Sequence, residues 1–284
     1  MSAKILDGKI ISQNILEEVN REILCRKNMG ILPPVLAVIL IGDDHASAVY
    51  VKNKLLACRK VGIVCKFFNF DAHITEQELL AIINSLNQNN DINAILVQLP
   101  LPYYINLANI VSSIDPKKDV DGFHPQNIGF LTQGWPVLQP CTPLGIMKLL
   151  AVTEVDLLGK KVTIVGSSNI VGKPMALCLV NAGCTVTICN KNTVDLKLFV
   201  ANADLLISAT GQPHLIKGDW IKPGSIVIDV GISKLNDKLT GDVDFEMAKQ
   251  NAAWITKVPG GVGPMTIACL LENTLLTQKL QQSS

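Results

Sequence analysis

The sequence has almost no net charge. Its 284 residues contain 25 Lys and Arg against 24 Asp and Glu, which gives a formal net charge of +1. A phosphate polymer or an anionic membrane is held by a surplus of positive charge, and this chain has none to offer over its whole surface. The charge balance therefore predicts no nucleic-acid partner and no membrane partner.

Long apolar runs are also missing. The longest, Val35 to Ile41, is far shorter than the roughly 20 residues that cross a bilayer as a helix. The N-terminus has acids and amides where a signal peptide needs an unbroken apolar core. We expect a cytoplasmic protein.

Paired cysteines and metal-ligand spacings are absent from the sequence. The 8 cysteines are scattered through apolar stretches without a C-x-x-C pair, and the 4 histidines are isolated from one another. Such cysteines are typical of small buried side chains in a reducing compartment. The sequence therefore predicts neither a disulfide framework nor a metal site.

Two kinds of segment alternate along most of the chain, which is 48% hydrophobic and 17% charged. Short runs of Val, Ile and Leu predict buried parallel strands at Leu36–Ile41, Ala94–Gln98, Val162–Val165, Thr185–Cys189, Leu205–Ser208 and Ile226–Val230. Helical spacing predicts helices at Ile10–Met29, Ala46–Val61, Glu76–Asn87, Pro174–Ala182, Val194–Ala201 and Met265–Leu280. This alternation predicts an α/β fold with parallel sheets.

The length predicts about two domains. Periodicity fades in a Pro- and Gly-rich stretch from Asp115 to Pro143. We therefore expect one domain over residues 1–141 and a second over residues 142–264, with the final helix, within residues 265–284, packing back on the first domain.

One strand is followed by a glycine turn and a helix. After the predicted strand Val162–Val165, Gly166 occupies the first position of a G-x-G-x-x-G pattern, and Ser168 stands where the second glycine would be. Strand, glycine turn and helix N-terminus together form the context in which a dinucleotide phosphate binds. Because the spacing departs from the pattern, a plain structural turn stays open as an alternative.

The next predicted strand ends without an acid. NAD-selective sites carry an Asp or Glu there for the ribose 2′-hydroxyl, whereas this chain has Asn190 and Lys191. Lys191 favours the extra phosphate of NADP, although an exposed loop lysine is an equal alternative. Asp229 to Ile232 ends a further predicted strand, at the edge where ligands gather in such sheets.

Another set of candidate residues lies in the first domain. Ser47, Tyr50 and Lys54 share one face of a predicted helix, and Gln98 ends a predicted strand. If that face is buried, Tyr50 can stack on a flat substrate and Lys54 can exchange protons, with Gln98 orienting it. A solvated surface lysine is the alternative.

Two acids separated by one residue, Asp119 and Asp121, form a further candidate. We do not expect shared-proton chemistry between them. Asp121 can bind a polar heterocycle, or it can simply begin an Asp-Gly turn.

Taken together, these segments resemble the bifunctional methylenetetrahydrofolate dehydrogenase/methenyltetrahydrofolate cyclohydrolase family of the bacterial FolD type. The motifs that carry the resemblance span nearly the whole chain in the family's order. They are S-x-x-Y-V-x-x-K (47–54), VQLPLP (97–102), KDVDGF (118–123), PCTP (140–143), VGxSNIVGKP (165–174), DVGI (229–232), GDVDF (241–245) and PGGVGPMT (259–266).

The resemblance implies a homodimer in which each subunit has two α/β domains flanking a cleft. It implies that the first domain binds folate and carries catalysis, and that the second is a Rossmann-like NADP-binding domain. Hydride would pass from 5,10-methylenetetrahydrofolate to NADP+, and water would open the methenyl product to 10-formyltetrahydrofolate. These reactions belong to one-carbon metabolism and purine biosynthesis.

Residue roles follow from the same resemblance. Lys54 matches the family's key lysine, Gln98 its hydrogen-bonding partner, Tyr50 the ring that stacks on folate and Asp121 the acid that holds the pterin. The cofactor-contact positions are Gly166, Ser167, Ser168 and Ile232, with Lys191 as a candidate for the 2′-phosphate.

Two positions depart from the family pattern. Many members have Arg at position 167 and His at position 190, where this chain has Ser167 and Asn190. Both changes weaken the expected grip on the 2′-phosphate of NADP. Two alternatives therefore stay open: an NAD-dependent member with dehydrogenase activity only, and a nucleotide-binding sensor without catalysis.

Overall fold

The computed structural model describes residues 2–235 and 238–282 as an α/β protein. Its helices are α1 (Gly8–Asn28), α2 (His45–Val61), α3 (Glu76–Gln88), α4 (Leu107–Ser113), α5 (Pro125–Thr132), α6 (Cys141–Ala151), α7 (Gly172–Asn181), α8 (Leu196–Ala201), α9 (Phe245–Asn251) and α10 (Val262–Gln282). Its strands are β1 (Lys4–Leu6), β2 (Val35–Ile41), β3 (Val64–Phe70), β4 (Ala94–Val97), β5 (Lys161–Val165), β6 (Thr185–Cys189), β7 (Leu205–Ser208), β8 (Ile226–Asp229), β9 (Ser233–Leu235), β10 (Lys238–Thr240) and β11 (Trp254–Thr256).

The chain forms two compact units. The first unit contains Gln13–Cys141 and Ile267–Ser284, and the second contains Met1–Ser12 and Thr142–Thr266. Most of α10, from Ile267 onward, thus belongs to the first unit. Residues 1–12 were expected in the first domain but group with the second unit, because β1 pairs in parallel with β11 of that unit.

The first unit is built on a three-stranded parallel sheet with the order β3-β2-β4. The central strand β2 is buried from Leu36 to Ile41, as expected for a strand covered on both faces. Helix α3 buries Leu79, Ile83 and Leu86, which share one face at helical spacing, in the same core as residues of β2.

Helix α2 of this unit is fixed at both ends. The Asp44 carboxylate accepts a hydrogen bond from the backbone N–H of Ser47 at 2.7 Å, which caps the first turn. Gly62 ends the helix in the left-handed conformation at φ +88°, with its N–H donating to the Cys58 carbonyl. These caps set the register of the helix face that carries Tyr50 and Lys54.

The second unit contains a six-stranded parallel sheet with the order β1-β11-β8-β7-β5-β6. From β5 the chain goes to β6 on one side and then crosses to β7 on the other. Strand order therefore reverses next to β5, and ligands of such sheets bind at the carboxyl ends of the strands beside this reversal.

Several elements were not expected from the sequence. The stretch 115–143 contains α5 and the start of α6, where proline and glycine obscure the helical period; the His124 side chain caps α5 and Pro125 begins it. Strand β3 was also missed, because its side chains are partly exposed and give no continuous apolar run. Within residues 2–235 and 238–282, no helix combines the length and apolarity that a bilayer crossing requires.

Candidate active site

Lys54 is a buried amine with one well-placed partner. Its side chain lies on α2 and is 5% exposed. Its Nζ donates a hydrogen bond to Gln98 Oε1 at 3.0 Å. The structure thus joins the two residues named from the helix face and the strand end, and the solvated-surface alternative for Lys54 is wrong.

The backbone and amide contacts of Gln98 fix its orientation. Gln98 directly follows β4, and its backbone N–H donates to the Ile39 carbonyl at 2.8 Å. Its Nε2 donates to the Leu99 carbonyl at 2.6 Å. Because the amide nitrogen is used in this way, the amide oxygen faces Lys54.

Tyr50 lies one helical turn before Lys54 on the same face. The Lys54 Nζ is 4.9 Å from the centre of the half-buried Tyr50 ring. This is within the distance at which a cation is attracted to a ring face. Lys54 therefore contacts both Tyr50 and Gln98.

The two acids after β4 have different surroundings. Asp119 is buried, and its carboxylate accepts hydrogen bonds from the N–H groups of Gly122 and His124 and from Asn127 Nδ2. These bonds fold the turn that contains Asp121, which is itself half-buried and interacts electrostatically with Lys54. The Asp119 carboxylate is therefore occupied by hydrogen bonds within its own turn, and Asp121 lies nearer the Lys54 charge.

Burial shifts the pKa values of Lys54 and Asp121 toward neutral pH. Loss of solvent lowers the pKa of Lys54, and the nearby Asp121 carboxylate opposes this shift. Loss of solvent raises the pKa of Asp121 to about 6, against the opposing charge of Lys54. A lysine of this kind can release and take up a proton more readily than an exposed one.

Asn273 supports this site and was not found by sequence reasoning. Its buried Nδ2, on α10, donates to the carbonyls of Val120 at 3.0 Å and Gln139 at 2.9 Å. It thereby ties the Asp121 turn to the segment that leads into Cys141. Because it lies more than 130 positions along the chain from both carbonyls, no local pattern could have identified it.

In the second unit, the glycine turn after β5 comes close to two other backbone segments. Gly166 has φ +121°, and a Cβ on it would lie 2.3 Å from the Ala209 carbonyl oxygen. A Cβ on Gly172, the first residue of α7, would lie 1.9 Å from the Gly166 carbonyl oxygen. Only glycine fits either position. The narrow turn places the backbone at the start of α7 beside the reversal of strand order at β5, which is where a pyrophosphate binds in sheets of this kind.

Ser167 and Ser168 follow in the same turn. The Ser168 hydroxyl oxygen accepts from the N–H of Val171 at 3.1 Å, with a longer contact from Gly172 at 3.4 Å. The hydroxyl oxygen therefore stabilises the turn, and its own hydrogen is not used in these two contacts. Ser168 is exposed and Ser167 half-buried.

The remaining nucleotide candidates are at neighbouring strand ends. Asn190, after β6, accepts the N–H of Asn192 on its side-chain oxygen at 2.9 Å, which shapes a tight loop around the exposed Lys191. Ile232, after β8, is 53% exposed. Lys191, Ile232 and the Gly166 turn thus all follow carboxyl ends of strands in one sheet.

In the described ranges, 2–235 and 238–282, no group of three or more His, Cys, Asp or Glu side chains is arranged to hold a metal ion.

A buried lysine of lowered pKa in one α/β unit and a tight glycine turn between strand and helix in the other are typical of a dinucleotide-dependent enzyme. Residues 6–121 match the model for the catalytic domain of tetrahydrofolate dehydrogenase/cyclohydrolase, and residues 140–282 match the model for its NAD(P)-binding domain. The chain belongs to the tetrahydrofolate dehydrogenase/cyclohydrolase family, and the resemblance and the fold class stated above are confirmed.

Individual relatives are similar over the full length. The chain is 52% identical to the bifunctional protein FolD of Methylobacillus flagellatus, covering 100% of this chain and 98% of that protein. The solved bifunctional FolD of Campylobacter jejuni is 50% identical, with a TM-score of 0.96 over 99% of this chain and 100% of that one. The Trypanosoma brucei FolD, solved with NADP cofactor and an inhibitor, is 36% identical, with a TM-score of 0.97 and full coverage of both chains.

Proposed function

We propose that this protein oxidises 5,10-methylenetetrahydrofolate to 5,10-methenyltetrahydrofolate with NADP+ and then hydrolyses that product to 10-formyltetrahydrofolate. The observation that carries the proposal is the buried contact between Lys54 and Gln98 beside Asp121. Family membership and the bifunctional relatives support both activities.

Folate binding is assigned to the first unit. Tyr50 stacks on the flat pterin, and Asp121 accepts hydrogen bonds from its N–H groups. The raised pKa of Asp121 is consistent with a carboxyl group that meets a polar heterocycle away from water. The Asp119 carboxylate and Asn273 hold the turn that presents Asp121.

Lys54 handles the proton in the hydrolytic step. Water adds to the carbon of the methenyl cation, and the neutral amine of Lys54 takes a proton from that water as the C–O bond forms. The C–N5 bond of the adduct then breaks: the Lys54 ammonium returns its proton to N5, and the hydroxyl proton of the adduct leaves to solvent as the formyl group forms. Burial favours the neutral amine because it disfavours the ammonium form. Gln98 holds the amine in place through a neutral oxygen.

Nucleotide binding is assigned to the second unit. When bound, NADP+ accepts the hydride, and the protein's part is to hold and orient it. The backbone at Gly166 and the start of α7 receive the pyrophosphate, Ser167 and Ser168 offer hydroxyl groups, and Ile232 offers an apolar contact. Many family members have Arg at position 167 and His at position 190, where this chain has Ser167 and Asn190. Lys191 supplies the positive charge for the 2′-phosphate instead. The NADP complex of the Trypanosoma brucei relative supports this choice of cofactor.

Two copies of the chain form a homodimer through the edge of the first unit's sheet. Strand β3 lies at this edge, pairs with β2 on one side, and has exposed apolar side chains at Val64 and Phe67. An exposed seven-residue edge strand is a ready surface for pairing with a second strand. The enzyme acts in the cytoplasm, consistent with eight cysteines in the thiol form.

The function is tested by following reduced-nicotinamide absorbance with methylenetetrahydrofolate and NADP or NAD in parallel, and by timing the hydrolysis of methenyltetrahydrofolate against buffer. Reduction of NADP together with accelerated hydrolysis supports the proposal. NADP binding without reduction would favour a sensor, and reduction of NAD without accelerated hydrolysis would favour a dehydrogenase-only enzyme.

A further inference from the structure

Two buried carboxylates in the second unit tie three segments of the chain together. Asp229 ends β8, and Asp242 lies beyond the β9–β10 hairpin; both side chains are buried, at 4% and 0% exposure. They belong to the motifs DVGI and GDVDF, to which the reaction itself assigns no carboxylate. We call this pair, with Gly231 and Gly241, the carboxylate clasp.

Asp229 binds the backbone of both segments. Its Oδ1 accepts from the N–H of Gly231 and from the N–H of Asp242, both at 3.0 Å. Its Oδ2 accepts from the N–H of Val243 at 2.9 Å. One side chain thus joins the turn after β8 to the strand-like segment that returns from the hairpin.

Asp242 extends this connection to the neighbouring strand end. Its Oδ2 accepts from the Ser208 hydroxyl at 3.0 Å and from the Thr210 N–H at 2.7 Å. Ser208 ends β7 and Thr210 belongs to the turn after it. Asp242 therefore fixes the turn after β7 relative to the turn after β8.

The two glycines make this reciprocal packing possible. A Cβ on Gly231 would lie 2.0 Å from Asp242 Oδ1, and a Cβ on Gly241 would lie 2.0 Å from Asp229 Oδ2. Each carboxylate thus occupies the space that a side chain on the other segment's glycine would fill. This complementarity explains why both motifs pair an Asp with a Gly.

Packing alone does not explain the clasp, because burying its two carboxylates costs free energy. Asp242 Oδ1 is buried and accepts no hydrogen bond within the described part of the chain. Burial and the neighbouring Asp242 charge also raise the pKa of Asp229 to about 7, although backbone N–H groups oppose the shift. A buried carboxylate oxygen without a partner costs free energy, so stability does not account for the arrangement.

Its location points to nucleotide binding. The turn after β7 includes Ala209, whose carbonyl oxygen lies against Gly166, and the turn after β8 presents Ile232. We propose that Asp229 and Asp242 are positioning residues that hold these two turns at the spacing the nicotinamide dinucleotide requires. This inference rests on the proposed function, since it assigns the residues to the same NADP site.

The test compares Asp242→Ala and Asp242→Asn with Asp204→Ala. Asp204 is a matched control in the same unit, because it pairs with Lys222 before β7, at the opposite end of that strand. We expect Asp242→Ala to raise the KM and the Kd for NADP at least about tenfold, with a much smaller change in the KM for methylenetetrahydrofolate. Asp242→Asn, which keeps an acceptor oxygen for Thr210, should restore part of the NADP affinity.

The outcomes separate two failures. If Asp242→Ala binds NADP as well as Asp204→Ala does, the positioning role is overturned while the proposed function stands. If the unmodified enzyme binds no NADP by fluorescence titration, the proposed function fails and the clasp proposal fails with it. If Asp242→Ala does not fold, the same titration is made with Asp242→Asn. An NADP affinity equal to that of the unmodified enzyme, together with an unchanged KM for NADP, would overturn the positioning role of Asp242.

Discussion

The Nζ of Lys54 donates to the amide oxygen of Gln98 at 3.0 Å, inside the protein. A carboxylate in the same place would favour the ammonium form of the lysine, whereas an amide orients the amine without adding negative charge. The pair therefore holds the amine while burial keeps its pKa lowered.

Replacing the amide by an acid should reverse this effect. In Gln98→Glu, the new carboxylate raises the pKa of Lys54, so the neutral amine forms only at higher pH. We expect the rising limb of the pH–rate profile for methenyltetrahydrofolate hydrolysis to move up by about one pH unit or more. Gln88→Glu, at the exposed end of α3, is the control and should leave the profile in place.

Charge at the loop after β6 should discriminate between the two nicotinamide cofactors. Lys191→Ala removes the cation assigned to the 2′-phosphate, so we expect the KM for NADP to rise roughly tenfold while the KM for NAD changes little. Lys197→Ala changes an exposed lysine on α8 and serves as the matched control. An equal effect of Lys191→Ala on both cofactors would remove the 2′-phosphate assignment.

The narrow turn after β5 should not tolerate a methyl group. In Gly172→Ala, the new Cβ meets the Gly166 carbonyl oxygen, so the backbone must shift where the pyrophosphate is expected. We expect a loss of about 1–3 kcal/mol in unfolding free energy and weaker NADP binding. Gly129→Ala places its Cβ in open space on α5 and should cost nothing in either measurement.

The pKa of Asp229 predicts a pH dependence of stability. Its pKa is raised from 3.8 to about 7 in the folded protein, so between these values the folded state binds more protons than the unfolded state. The free energy of unfolding therefore falls as pH rises through this window, by up to about 1.4 kcal/mol per pH unit for one group.

Urea unfolding between pH 5 and pH 8 measures this slope. Asp229→Asn removes the titrating group and should make the slope less negative than in the unmodified protein. Asp204→Asn is the control, because the Lys222 ammonium holds the pKa of Asp204 below its ordinary value and its contribution changes only at more acidic pH. An unchanged slope in Asp229→Asn would show that Asp229 does not titrate there.

The sequence located the parts of the site that depend on local periodicity. Helical spacing placed Tyr50 and Lys54 on one face, and the apolar run of β4 placed Gln98 at a strand end; both placements hold in the structure. The turn at Gly166 was also recognisable, because strand, glycine and helix follow each other directly.

Contacts between distant segments could not be read in this way. Asn273 reaches carbonyls more than 130 residues away, and Asp242 binds Ser208 across 34 positions and the β9–β10 hairpin. Strand β1 pairs with β11 from opposite ends of the chain, which places the first residues in the second unit. Such pairings depend on how the sheets assemble and leave no repeating signal in the sequence.

Lys54 provides the most direct test of the account. Lys54→Met keeps a long apolar side chain but removes the proton-handling amine, and Lys52→Met changes an exposed lysine on the same helix as the control. The rate of methenyltetrahydrofolate hydrolysis, with NADP binding titrated alongside, is the measurement. We predict that Lys54→Met hydrolyses methenyltetrahydrofolate at least about a hundredfold more slowly and still binds NADP. Lys52→Met should match the unmodified enzyme in both hydrolysis rate and NADP affinity. Full hydrolysis by Lys54→Met would contradict the role assigned to this buried amine.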